Sequence, residues 1–305
     1  VPRAIPDVQA PAAPAQLHDA GYQRYAGTRR RGGTRWRVIA RHQIAMAWKT
    51  WWRFRAALGL AVMVTVVWGG LMYFLSSKLF RGMPGLSWSE AALPMAVEWY
   101  CRVAFFLSLV LGAGAIAGDG QSGSFAFFFA RSLRPRDYVL GKLAGYGALV
   151  AALVAAGPVV LALLRLAVSD TTDELVAHLM LVPRAVVLGA IMTAVYTAVP
   201  LGFSAIAPDR RTALALWAAY YLVFGSIAAL IGRQSGGSIG ALDIPTACLA
   251  LAFDSFGGAP MYGRRAAREL DPKLALLALG VNVVVAIIAI AVRVWRARAR
   301  GIGGS

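Results

Sequence analysis

Few side chains in this 305-residue chain are of types and spacings that do chemistry. Gly236-Gly237-Ser238-Ile239-Gly240 has the letters of a nucleophile elbow. That motif needs a strand before it and a histidine near it, and this stretch of Gly and Ser has no preceding strand and only His178 on its side, so it reads as a flexible turn. A phosphate-cradling loop needs an upstream glycine and a hydroxyl residue after its lysine; the one Gly-Lys pair, Gly141-Lys142, is followed by Leu143 and has neither. Three histidines, His18, His42 and His178, and two cysteines, Cys101 and Cys248, cannot make a four-ligand zinc site or a disulfide framework. In apolar surroundings such cysteines pack, and a bond between them would need both on an oxidising side. The chain is therefore expected to hold no catalytic residue, cofactor or metal.

What remains is polar residues inside apolar runs: Glu98, Arg102, Arg165 and Asn282. Glu98 and Arg102 are four apart on one helical face and are expected to pair near the membrane surface. Arg165 also lies near a span end. So few groups cannot form the buried carboxylate relay of an ion-coupled transporter, and only Pro158 and Pro200 interrupt the middle spans.

The elements that position these groups follow from composition. Hydrophobic residues make up 59% of the chain, charged residues 15%, and mean hydropathy is +0.62, so its solvent is lipid. Crossing about 30 Å of hydrocarbon takes about 20 apolar residues in a helix. Five uncharged runs qualify: Ala56–Leu75, Leu143–Leu164, Ala185–Ala207, Thr212–Gly232 and Leu274–Val292. A sixth, Pro94–Ala117, carries Glu98 and Arg102 in its first turns. The expected fold is all-α, a polytopic membrane protein with six transmembrane helices.

The formal charge of +17 then has a topological reading. With six spans, one side holds residues 1–55, 118–142, 207–211 and 293–305, with 21 of the 31 Lys and Arg, five acids and a net +16; the other side nets +1. Cytoplasmic segments carry such an excess, so both termini are expected in the cytoplasm of a multi-pass cell (inner or plasma) membrane protein. The excess basicity needs no nucleic-acid partner. No cleavable signal peptide is expected ahead of the first span, which would act as its own anchor. Residues 1–33, rich in Pro, Ala, Gly and Arg, are expected to be a disordered basic tail, and 293–305 a basic tail.

Residues 34–55 have helical periodicity. Trp36, Ala40, Ile44, Ala47, Trp51 and Phe54 fall within about one quadrant and Arg37, Arg41, His42, Lys49, Arg53 and Arg55 on the rest, with Trp52 out of phase. An amphipathic helix over Trp36–Arg55 would lie in the cytoplasmic interface, its cations near anionic lipid. The six spans would occupy 56–292. Gly114-x-x-x-Gly118 and Gly141-x-x-x-Gly145 would let helices approach closely. The outer segment 233–273 is too long for a simple connection, and its uncharged run Ile244–Phe253 is too short to span, so it reads as a re-entrant or interfacial helix.

The loop between spans two and three, residues 118–142, is the most informative. Asp119 or Ser122 can cap a short helix whose body, Phe125–Ala130, is too apolar to float in cytosol and must dock on something. Arg134-Pro135-Arg136 would stop it, and Asp137-Tyr138 would start the next helix, with Arg136 and Lys142 at the headgroups. The series Asp119, Ser122-Gly123-Ser124, Phe127 to Ala130, Arg131, Leu133, Arg136 and Tyr138-Val139-Leu140-Gly141-Lys142 resembles that of the ABC-2 type permease subunits of ABC transporters. Ser132 stands where a proline usually follows the first arginine, with Pro135 three residues later. An elbow helix, six spans, cytoplasmic termini and a long outer loop before the last span agree in order.

The resemblance implies a permease that forms a translocation path, as an exporter, with a second copy or a second permease. It implies that 118–142 is a coupling helix seated on a separate cytosolic ABC ATPase, which would carry ATP and Mg. Asp119, Ser122, Gly123, Ser124, Phe127, Phe128, Arg131, Arg134, Arg136, Tyr138 and Lys142 would then be the coupling residues, with membrane lipid the remaining partner. The alternative from the residues alone is a noncatalytic membrane scaffold whose basic face recruits a cytosolic partner.

Overall fold

In hydrocarbon a lone stretch of backbone satisfies its N–H and C=O groups only as a helix. The computed structural model describes residues 35–49, 52–76, 88–130, 133–169, 171–235, 238–257 and 265–302, and among them there is no strand. The tail 1–33 lies outside these residues; of the basic end 293–305, residues 293–302 continue the last helix as far as Ile302, and only 303–305 lie outside.

Helix α1 (Arg35–Lys49) is followed by α2 (Trp52–Ser76), and α3 (Trp88–Leu107) runs through a π turn (Ser108–Gly112) into α4 (Ala115–Gln121). A seven-residue α5 (Ser124–Ala130) leads to α6 (Pro135–Val154) and α7 (Ala156–Ala167). Then come α8 (Thr172–His178), α9 (Leu181–Ile206), α10 (Arg210–Ala218), a second π turn (Ala219–Phe224) and α11 (Gly225–Ser235). A 3-10 turn (Ser238–Leu242), α12 (Ile244–Phe256), α13 (Arg265–Glu269) and α14 (Pro272–Ile302) complete the order.

Six stretches are long and apolar enough to cross a membrane: Phe54–Phe74, Ala92–Gln121, Pro135–Ala167, Thr172–Ile206, Arg210–Gln234 and Pro272–Ala299. Each matches one of the six runs read from sequence: four contain the run whole, and the other two stop one residue short of its end, at Leu75 and Ala207; all begin ahead of it, because a helix does not start where its hydrocarbon stretch starts. The interruption near Pro158 is real. Its ring nitrogen has no hydrogen to give the Val154 carbonyl, and the helix breaks at Ala155. Around Pro200, by contrast, α9 is continuous.

At the centre α9 packs on α14, α6, α7, α10 and α12. Lipid tails are as apolar as leucine, so association here comes from van der Waals contact, favoured by small residues. At Gly202 an added Cβ would stand 2.6 Å from the Cβ of Ala286 on α14. Tyr100, Tyr146, Tyr196 and Trp217 fill the interior, while Val62, Val66, Val67, Val284, Val285 and Ile288 face outward. Buried hydroxyls tie spans together. Trp217 Nε1 donates to Ser108 Oγ at 2.7 Å, and Ser204 Oγ accepts from the Ile116 and Ala117 amides at 2.9 and 3.0 Å, where the first π turn hands over to α4.

Several sequence expectations need correction. The helix expected over Trp36–Arg55 ends at Lys49, and Trp52 and Phe54 belong to α2, with Trp51 outside the described residues. The side of α1 that packs is also different. Ala40 and Ala47 are buried but Ile44 is exposed, and Ile39 and Gln43 share the contact with α6. That contact passes over the Gly141–Gly145 pair, where added Cβ atoms would stand 2.6 Å from Ile39 Cβ and 2.9 Å from Ala40 Cα. The Gly114–Gly118 pair makes no such crossing: Gly114 lies under the Arg210 side chain and Gly118 faces open space.

In the segment before the last span Asp243 caps α12 by accepting from the Thr246 amide at 3.1 Å and hydroxyl at 2.5 Å. Residues Ala247 to Phe253 are all buried, among α3, α9 and α14. Cys248 is one of them, and Cys101 on α3 is equally buried; both thiols are free. Of the Gly-Ser stretch, Gly236 and Gly237 lie outside the described residues, and Ser238 opens the 3-10 turn.

Candidate functional site

The segment from Gly118 to Lys142 folds back on itself. Helix α4 ends in a turn at Ser122-Gly123, where Gly123 has φ +70°, a left-handed conformation that glycine alone adopts without strain. That turn redirects the chain into α5. Asp119 and Ser122 were expected as caps of α5, and neither is one. The Gly123 carbonyl receives the Ala126 amide at 3.0 Å, and Ser122 Oγ is instead 2.7 Å from Ser124 Oγ. Pro135, expected as a stop, opens α6 as its first residue, where the missing N–H has no helical partner to lose.

Asp119 has a tertiary role. Its Oδ2 accepts the Tyr138 hydroxyl at 2.5 Å and lies 2.8 Å from Lys142 Nζ, one turn further along α6. The Lys142 ammonium is also 5.7 Å from the centroid of the Tyr138 ring. Three residues of the sequence motif are thus joined across the α4–α6 interface, with charge-assisted contacts stronger than neutral ones.

Around the same phenol stand the rings of α5. Phe125, Phe128 and Phe129 have centroids 5.4, 5.7 and 6.3 Å from that of Tyr138, and Phe125 stacks on Phe129 at 5.9 Å and 7°. Tyr138 is fully buried and Phe125 nearly so. The apolar helix therefore docks on its own chain, on Tyr138 and on α14, where the Arg293 guanidinium lies over Gly120. Phe127 points the other way and is 60% exposed. Phe127 and Phe128, paired by sequence as partner-facing residues, have different surroundings.

Arg134 occupies the cap position of α6 with an extended backbone, and Arg134 and Arg136 are exposed; Arg131 lies outside the described residues. Ala126, Phe127, Arg134 and Arg136 are each exposed here. Phe129 stood in the series that carries the resemblance but not among the coupling residues, and Phe125, Gly120 and Arg210 had no sequence signal beyond apolarity, spacing or charge.

The intramembrane polar residues do not join this site. Arg102 donates to Glu98 Oε1 at 2.7 Å and its guanidinium lies 4.5 Å over the Trp99 ring. Asn282 accepts the Tyr220 hydroxyl at 2.7 Å and donates to the Ala278 carbonyl at 2.9 Å. Arg165 pairs with Glu174 at 3.3 Å. At the α9–α10 turn Asp209 receives the amides of Thr212 and Arg211 and the Thr212 hydroxyl, which hold its carboxyl below the usual range, with the Arg211 charge adding to the effect. Among the described residues no cluster of three or more His, Cys, Asp or Glu side chains can hold a metal ion.

No match was found among curated proteins. A family model described as ABC-2 family transporter protein matches residues 93–293, from the buried turn before Glu98 to Arg293 over Gly120.

Proposed function

Since the chain belongs to the ABC-2 family of transporter membrane proteins, we propose that it is the permease subunit of an ABC exporter, with both termini cytoplasmic. Permeases of this family lack an ATPase domain. ATP and its Mg would be bound and hydrolysed by a cytosolic partner chain, and the substrate would pass between this permease and a second one.

The observation that carries this reading is the geometry of α5. A helix of seven residues is too short to persist alone. Here three of its phenylalanines pack on Tyr138 of α6, which Asp119 and its partner Lys142 tie to α4, while Phe127 is presented outward. Motion of a partner gripping Phe127 would be passed to two spans. The net +16 on this side supports its cytoplasmic placement. The buried packing of α12 supports a re-entrant segment capping the path on the outer side.

The test is co-purification with a cytosolic ABC ATPase. Phe127→Glu should leave expression and thermal stability unchanged, because that ring is exposed, and weaken ATPase association by more than about tenfold, as expected for loss of a central aromatic anchor. ATPase association and transport that survive the substitution would overturn the coupling role. An alkaline phosphatase fusion at residue 305 should be inactive; an active one would reverse the topology.

A further inference from the structure

On the basic side of the bundle, α1, α4, α6 and α10 border an open cavity of about 630 Å³ that shares Gly118, Asp119 and Lys142 with the 118–142 segment and extends beyond it. Its wall is divided by chemistry. Trp52, Leu111 and Leu149 form one part, and Gln43, Lys142 and Arg210 another, with Asp119 beside the lysine. The charge of Lys142 is balanced by Asp119 at 2.8 Å. Arg210 makes no ion pair among the described residues, so the cavity holds one cation in excess.

Arg210 is also held in place. Its side chain lies along Gly114, where an added Cβ would meet Arg210 Cγ at 2.5 Å. The amides at the start of α10 are already taken by Asp209, so the free donors here belong to the guanidinium. A second polar group is unsatisfied: Gln43 Oε1 is buried with no hydrogen-bond partner. Turning that amide by half a revolution would present its NH2 to an anion. A buried polar atom without a partner has given up its hydration for nothing in return, so native structures rarely leave one unbonded.

The apolar part of the wall lies where α1 passes into the first span. A ligand with an anionic head and an apolar body matches both parts at once. Guanidinium groups favour phosphate because their planar fork can bond two of its oxygens. We propose that this cavity binds a phosphate ester anion, the headgroup of an anionic phospholipid of the same leaflet, between Arg210, Gln43 and Trp52.

Gly118 makes the site testable without disturbing the fold. It lines the cavity, and a Cβ built on it meets nothing within 4 Å. Gly118→Leu would therefore occupy the ligand's space, and Arg210→Gln would remove the uncompensated charge. The full chain in a neutral detergent is titrated in a calorimeter with short-chain phosphatidylglycerol, with phosphatidylcholine of the same chain length, and with inorganic phosphate.

Phosphatidylglycerol is expected to saturate with at least about tenfold higher affinity than phosphatidylcholine, and each substitution to weaken it by about tenfold. Binding of inorganic phosphate with the same dependence on Arg210, and none of the lipid, would keep the anion site and overturn its lipid occupant. Equal affinity for the two lipids, or affinities that neither substitution changes, would overturn the site. The measurement needs no ATPase, so its failure would leave the coupling role untouched, and the converse also holds.

Discussion

Replacing Tyr138 with phenylalanine removes one oxygen from the buried centre of the segment proposed to couple to the ATPase. The ring stays, and with it the contacts to Phe125, Phe128 and Phe129. Lost is the hydroxyl donated to Asp119 at 2.5 Å. A hydrogen bond to a charged group contributes about 1.5–3 kcal/mol. The low end applies, because Lys142 remains 2.8 Å from the same carboxylate oxygen and keeps it paired. A cost of about 1.5 kcal/mol corresponds to about a tenfold rise in local opening. Hydrogen–deuterium exchange of the purified chain reads this directly: amides of 118–122 at the end of α4, which the bond ties to α6, should exchange about tenfold faster, and those in the middle of α9 at their original rate. Tyr138→Ala removes the ring as well, costs about 3–5 kcal/mol as a buried aromatic truncation, and should leave α5 unprotected. Unchanged exchange in the phenylalanine variant alongside collapse in the alanine variant would refute the role given to the hydroxyl. Unchanged exchange in both would refute the aromatic clamp.

At Gly145 a leucine would drive its Cβ into the α1 backbone at Ala40, 2.9 Å away. Overpacking of this kind costs about 1–3 kcal/mol, and the expected result is faster proteolysis between α1 and α2 with the spans intact. Asp209, with its pKa lowered by the Thr212 amide and hydroxyl, contributes stability that is fully present above the unfolded carboxylate value of about 3.9 and is lost as pH falls through the lower folded value. The thermal midpoints of the native chain and Asp209→Asn should accordingly differ at neutral pH and converge below about pH 4; a gap that persists in acid would contradict this. Cys101 and Cys248 are fully buried and free, so a water-soluble maleimide should label both only after unfolding, and rapid labelling of the folded chain would contradict the packing of α3 against α12.

The six spans were legible because a bilayer demands about 20 apolar residues in a row, a requirement visible in composition alone. Their ends were not. Helix α9 starts at Leu181, ahead of the apolar run at Ala185, and takes in Arg184, whose charge closed the run in sequence and whose guanidinium reaches the Ser255 carbonyl at 3.0 Å. The inner face of α1 was misread for a different reason. Lipid-facing and protein-facing residues are both apolar here, so hydrophobicity could not tell Ile44, exposed, from Ile39, which lies on Gly141. In the coupling segment the motif named Asp119, Tyr138 and Lys142, and the spacing between them gave no pairing, since the local rule offered Asp119 a cap and the tertiary fold offered it a phenol and an ammonium. Neither π turn has a sequence signature; both depend on neighbours such as the Trp217–Ser108 bond.

The second π turn changes the arithmetic of its helix. Ala213, Trp217, Tyr221 and Gly225 are all buried at steps of four, a spacing that would drift about 40° per step in an α-helix. Trp217 must meet Ser108, and Gly225 must pass beside Asp243, whose carboxylate would stand 2.5 Å from an added Cβ. Eight residues of α-helix would set these two about 80° apart, whereas seven come within about 20° of two full turns. The stretch Ala219–Phe224 thus carries one residue more than the α-helix would need. It is the place in this span where a single-residue deletion preserves the phase of both flanks, and where related chains can differ in length without rotating one half of the helix against the other.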